Sequence, residues 1–260
     1  MNEPILAAQG IVKRFNALTV LDGVDFSMQA DEAVGIVGPN GAGKTTLLSV
    51  LSGALSPSAG RVAFQGVDVT NLAAAERCRL GLARTHQIPR PFGGLTVFEN
   101  VFVATANRPR FHRAEAYDLC IESLRLCGMI GLANRRAETL GLLDRKRLEL
   151  ARALAATPVA LLLDEIGGGL TDAEASELVD IIKELKRRGV ALIWIEHIVH
   201  ILLQVADRLV CMNAGRILAE GDPRQVMADP AVIEAYLGHS DLGQAKTPPL
   251  ETPTGSRAWA

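Results

Sequence analysis

One short stretch of this chain constrains its fold more than any other. The apolar run Val34-Gly35-Ile36-Val37 ends at Gly38-Pro39-Asn40-Gly41-Ala42-Gly43-Lys44-Thr45, and Lys44 to Leu51 read as the helix that follows. The run reads as a buried strand. Glycines let the backbone turn tightly between strand and helix. Val159 to Leu163 and Ala191 to Ile195 are two further apolar runs. Strands that are apolar on both faces, separated by amphipathic helices, imply a parallel sheet covered on both sides.

The turn has a chemistry of its own. It fits G-x-x-x-x-G-K-[ST], a loop whose N–H groups point inward around phosphate oxygens. The helix start adds the positive end of its dipole. The expected cradle is Gly38, Pro39, Asn40, Gly41, Ala42, Gly43, Lys44, Thr45 and Thr46. Lys44 should reach the β- and γ-phosphates, and the Thr45 hydroxyl should ligate Mg²⁺. The expected ligand is therefore ATP with Mg²⁺.

Leu161-Leu162-Leu163-Asp164-Glu165 is an apolar strand ending in two acids. Asp164 is placed to hold Mg²⁺ through water, and Glu165 to polarise the attacking water. Ile193-Trp194-Ile195-Glu196-His197 ends another strand in a polar pair, from which His197 could meet the γ-phosphate or that water.

Elsewhere the punctuation is clear. Thr96-Val97-Phe98-Glu99 and Thr171-Asp172-Ala173-Glu174 are capping boxes, the second opening a helix expected to stop at Gly189. Asp222-Pro223 sets a cap before a first-turn proline. Gly53 and Pro57 break the chain, and Arg61-Val62-Ala63-Phe64 reads as an edge strand. Residues from about 90 to 157 read as helical, an insert in a strand-rich core. From about residue 238 periodicity is lost among Thr, Pro, Gly and Ser, so a disordered tail is expected over 238–260. The organisation read is one domain over 1–237. Its core is 1–89 and 157–237, and its helical subdomain is 90–156.

Composition narrows the function classes. Lys plus Arg is 27 against 29 Asp plus Glu, a net charge of −2 that gives no reason to expect a nucleic-acid binder. The cysteines, Cys78, Cys120, Cys127 and Cys211, lack metal-ligand spacing and read as packed thiols. No run is long and apolar enough to span a bilayer, and Met1-Asn2-Glu3-Pro4 does not start a signal peptide. A cytoplasmic protein is expected. His112 and His200 read as surface or packing residues, Trp194 as core, and Arg145-Lys146-Arg147 as a solvated or partner-facing face.

With these elements in one chain order, residues 3 to 238 resemble the ATP-binding-cassette (ABC) ATPases. The resemblance implies an α/β fold: a P-loop NTPase core of RecA type, an antiparallel β subdomain and an inserted helical subdomain. Phe15 matches the aromatic that stacks on adenine. Gln87, in Arg84-Thr85-His86-Gln87, matches a glutamine that contacts Mg²⁺ or water. His197 matches the switch histidine. The catalytic set implied is Glu165, His197, Gln87 and Lys44, and the metal set Thr45, Gln87 and Asp164. Phe92-Gly93-Gly94-Leu95-Thr96-Val97-Phe98-Glu99-Asn100-Val101, Asp164 to Thr171 and Val232 to Gly238 look like the branched-chain amino acid importer ATPases. That resemblance implies two membrane permease subunits, a second and different ATPase subunit, and, indirectly, a substrate-binding protein. It implies residence on the inner face of the cell membrane. An exporter ATPase and a soluble non-transport ABC protein are the alternatives. One departure is plain. Where the family has Leu-Ser-Gly-Gly-Gln, this chain has Leu140-Gly141-Leu142-Leu143-Asp144, either a weak signature or a divergent working one.

Overall fold

The computed structural model describes residues 3–106 and 112–237; the expected tail lies outside them. The chain opens with the hairpin β1 (Leu6–Phe15) and β2 (Leu18–Met28), then crosses to a second sheet with β3 (Ala33–Val37). Helix α1 (Lys44–Leu51) follows, and β4 (Ala59–Phe64) and β5 (Val67–Asp68) return to the first sheet. Helix α2 (Ala74–Arg79) leads to β6 (Leu82–Arg84). Helices α3 (Val97–Ala106), α4 (Arg113–Leu126) and α5 (Leu142–Ala155) precede β7 (Ala160–Asp164). Then come α6 (Asp172–Arg187), β8 (Ala191–Ile195), the short α7 (Val199–Leu202), β9 (Arg208–Asn213) and β10 (Arg216–Gly221). Helices α8 (Pro223–Ala228) and α9 (Pro230–Leu237) end the described chain. Among the described residues no helix is long and apolar enough to cross a membrane.

The first sheet is antiparallel in the order β2-β1-β4-β5; the second runs β10-β9-β3-β8-β7-β6, parallel except for β10. Strand alternation sorts the core into two layers. Ala160, Leu162, Ala191, Ile193, Val34 and Ile36 face the layer shared with α1 and the antiparallel sheet. Leu161, Leu163, Leu192, Trp194 and Val37 face the layer with α3 to α6. The same alternation aims Asp164 toward α1 and Glu196 toward the other helices.

Helix α1 lacks a side-chain N-cap. Packing holds it instead: Leu47, Leu48 and Leu51 are fully buried, each stabilising by roughly 1.5–3 kcal/mol relative to exposure. Its C-terminal end is tied down by the buried Arg77, which donates to the carbonyls of Val50 (2.8 Å), Leu51 (2.7 Å), Thr70 (3.0 Å) and Leu72 (3.1 Å). The anchored helix leaves its first N–H groups for a ligand.

Both capping boxes form. The Thr96 and Thr171 N–H groups donate to Glu99 (2.7 Å) and Glu174 (2.8 Å), and each glutamate N–H donates back to the threonine hydroxyl. Gly189 follows α6 with φ +78°, and Pro223 opens α8 behind Asp222. Arg61–Phe64 is not an edge strand. It belongs to β4, which pairs with β1 on one side and with the two-residue β5 on the other. β5 is too short to show an apolar period. Lys146 is not on a solvated face either: it is 5% exposed, its amine drawn inward by the Glu165 carbonyl 3.3 Å away.

Candidate nucleotide site

The cradle forms where β3 meets α1. Gly38 has φ +144°, and a Cβ there would stand 2.1 Å from the Met212 carbonyl oxygen. Gly43, the N-cap of α1, has φ +99°. Only glycine meets both demands at low cost. Lys44 lies inside the loop, donating to the carbonyls of Gly38 (2.7 Å) and Pro39 (3.0 Å). Burial lowers its pKa, while the charges of Glu165, Cys211 and Asp164 oppose that shift. Asn40 to Thr46 line a cavity of about 270 Å³ together with Val20, Glu165 and His197. Phe15 does not line it. It ends β1, 44% exposed, with the Lys13 amine 5.1 Å from its ring centroid.

A second cavity, of about 520 Å³, is lined by Thr45, Gln87 and Asp164 among others, so Thr45 belongs to both. The Thr45 hydroxyl is 3.5 Å from Asp164 Oδ1. Hydroxyl and carboxylate oxygens suit a hard cation. Among the described residues no group of three or more His, Cys, Asp or Glu side chains could hold a metal alone. A cation here would complete its shell with water or phosphate oxygens.

Glu165 joins the two cavities. Its Oε1 is 2.8 Å from His197 Nε2, and its Oε2 accepts from Gln87 Nε2. An ionised carboxylate only accepts, so His197 donates from Nε2. The Glu165 backbone is left-handed, φ +46°, a conformation that costs of order 1–3 kcal/mol outside glycine. Backbone bonds hold it there. The Glu165 N–H donates to Ile195 O (2.9 Å), and Glu165 O accepts from Gly168 N–H and Lys146.

Four supporting residues were missed as site residues by sequence reasoning. Arg84 donates to Asp164 Oδ2 at 2.7 Å. Glu196, 2% exposed, accepts from the N–H groups of Gly167 (2.5 Å) and His197 (3.2 Å), which ties the loop after Glu165 to the loop carrying His197. Burial raises its pKa, partly countered by those N–H bonds and by the charge of Lys146. The Tyr236 hydroxyl, on α9, accepts from Gly38 N–H at 2.7 Å. The only signal for Arg84 and Glu196 was a charged residue ending an apolar strand; Lys146 and Tyr236 had none. Trp194 is core, 3% exposed. His112 and His200 are exposed, and Cys120, Cys127 and Cys211 are buried.

The divergent stretch opens α5. Gly141 is its N-cap and makes no side-chain cap. Leu142 is 46% exposed, and Asp144 lies 3.6 Å from Arg147 within the first turn.

A phosphate cradle between a parallel strand and its helix, flanked by Asp164 and by Glu165 bonded to Gln87 and His197, defines a P-loop ATPase. The chain belongs to the ABC transporter family, whose pattern matches residues 21–167. It is an ATP-binding, ATP-hydrolysing cassette. Residues 216–241 match a further family, described as branched-chain amino acid ATP-binding cassette transporter. The chain is 35% identical to the high-affinity branched-chain amino acid transport ATP-binding protein LivG of Escherichia coli, over 92% of this chain and all of that one. It is 34% identical to the corresponding protein BraF of Pseudomonas aeruginosa, with the same coverage. An ABC transporter cassette crystallised in its ADP conformation is 33% identical, with a TM-score of 0.83 over 91% of this chain and all of that one.

Proposed function

We propose that this chain is the ATP-hydrolysing subunit of an importer for branched-chain or related amino acids. The observation that carries the chemistry is Glu165, bonded to Gln87 and His197 at the rim of the Lys44–Thr45 cradle. The substrate class is supported by the relatives named for branched-chain amino acid transport and by the match over residues 216–241.

The loop N–H groups and Lys44 bind the phosphates. Thr45 and Asp164, with Gln87 beside them, would hold Mg²⁺, which would offset phosphate charge when bound. Glu165 accepts the proton of the attacking water. Gln87 and His197 fix its carboxylate, and Phe15 offers a ring face to adenine. Catalysis is mostly positioning and charge stabilisation.

The partners are two membrane permease subunits and a second ATPase subunit, with a substrate-binding protein acting through the permeases. The protein works peripherally on the cytoplasmic face of the membrane. Ile88 and Phe92, exposed near Gln87, give the permeases an apolar landing place. The second ATPase is a different chain. Two copies of this one would build two composite sites around Leu142, Leu143 and Asp144, where bulk and negative charge oppose a phosphate. The division proposed is a helical subdomain, 90–156, inserted in a core of 1–89 and 157–237.

The Glu165→Gln variant, purified from gently solubilised membranes with ATP present, should bring two permeases and a second ATPase. Recovery with ribosomes, with nucleic acid or with no membrane protein would overturn the importer reading.

A further inference from the structure

Arg84 joins three elements of the site. β6 pairs with β7 in parallel, Arg84 opposite Leu162, which sets Arg84 on the same face as Asp164. Its guanidinium forks. Nη2 donates to Asp164 Oδ2 at 2.7 Å, and Nη1 donates to the hydroxyls of Ser49 (2.9 Å) and Ser52 (3.3 Å) around the end of α1. Those hydroxyls are already oriented. Ser49 donates to Thr45 O at 2.6 Å, and Ser52 donates to Ser49 O at 3.2 Å, so each turns a lone pair toward the arginine. The ion pair is well shielded, the arginine side chain 11% exposed and the aspartate 2%.

Asp164 has two oxygens, and this fork takes one of them. Oδ1 is left facing the Thr45 hydroxyl at 3.5 Å. These are the two groups assigned to the cation. We propose that Arg84 is a positioning residue for the metal site: it pins Oδ2, presents Oδ1 beside Thr45, and registers β7 against α1 through Ser49 and Ser52. It lines the same cavity as Thr45 and Asp164, and as a cation it acts on the metal through Asp164 rather than as a ligand. A planar fork is needed to reach carboxylate and hydroxyls together; a lysine supplies the charge without that geometry. The inference rests on reading Thr45 and Asp164 as the metal-holding pair.

The competing role is plain neutralisation of a buried carboxylate. It predicts that charge alone matters, and that losing Arg84 harms stability without a metal-specific effect. The two are separated by titrating free Mg²⁺ against the full chain, carrying Glu165→Gln to block turnover, with a fluorescent ATP analogue bound. Nucleotide affinity is measured first in chelator. Removing groups that orient metal ligands typically lowers metal affinity about 10–100-fold. Arg84→Gln should therefore shift the half-saturating Mg²⁺ upward by at least about tenfold, with metal-free nucleotide affinity held within about threefold. Arg84→Lys should shift it in the same direction by a smaller factor. Ser49→Ala with Ser52→Ala loosens the fork while keeping the charge, and should also raise it; these two variants carry the test should Arg84→Gln not fold. An unshifted Mg²⁺ midpoint in Arg84→Lys and in the double serine variant, or an unshifted or lowered one in Arg84→Gln, would overturn the proposal. Failure of the parent protein to bind nucleotide more tightly with Mg²⁺ would instead refute the metal-site reading beneath it.

Discussion

Replacing Glu165 by Gln separates chemistry from architecture at this site. The change is isosteric and removes one negative charge. Both contacts survive it: the new amide oxygen can accept from Gln87, and the new amide nitrogen can donate to His197 once that ring changes tautomer. The backbone bonds that hold Glu165 at φ +46° do not involve the side chain. Only the proton acceptor is lost. A positioned general base contributes about 10²–10⁴-fold, which corresponds to about 2.7–5.4 kcal/mol of barrier. In a phosphate-release assay at saturating ATP and Mg²⁺, kcat should fall by that factor. ATP affinity should change by no more than about threefold, because the lost interaction belongs to the transition state. The melting temperature should hold. A kcat within about fivefold of the parent would remove Glu165 from the base role. A lower melting temperature with lost ATP binding would make it structural.

Other consequences can be checked separately. Tyr236→Phe leaves the Gly38 N–H without its acceptor, costing about 1–3 kcal/mol and lowering the melting temperature by roughly 2–10 °C; calorimetry that shows no change would contradict the tether. Burial pushes the Cys127 thiol up to about 12 from an ordinary 9.0. The unfolded chain therefore ionises this thiol first, so stability is full below pH 9 and falls as pH rises toward 12. Urea unfolding from pH 8 to 10.5 should show the decline, shallower in Cys127→Ala; equal slopes would refute it. Gly141→Ser with Leu143→Gly should raise ATP turnover of the assembled complex, and no gain would mean that the backbone N-terminus of α5 suffices.

How far the sequence could be read follows from which forces were local. β3, β7 and β8 are covered on both faces, so each shows as an apolar run; β9 carries a similar run, Leu209 to Met212, that was not read. The glycines of the cradle and the two Thr–Glu boxes are local backbone chemistry and were legible for that reason. β10 is different: Arg216 to Gly221 alternates between exposed and half-buried residues and carries charge. β1 is interrupted by Gly10 and by register shifts against β2, which blur its period. Neither was read as a strand. The supporting charges were hidden by distance along the chain. Arg84 and Asp164 are 80 positions apart, and Lys146 reaches the Glu165 loop from α5. Nothing local distinguishes Lys146 from the exposed arginines Arg135 and Arg136. Thr45, Asp164 and Glu165, the residues proposed for metal and base, were legible because one strand end and one glycine loop announce them.

The importer role can be read from uptake of radiolabelled leucine, isoleucine and valine by cells of the source organism, with the chromosomal gene replaced by its Lys44→Ala variant. ATP-dependent accumulation of these amino acids should fall to background while the variant is still present at the membrane. Uptake at the parental rate, or lost efflux of another compound with amino-acid import intact, would contradict it.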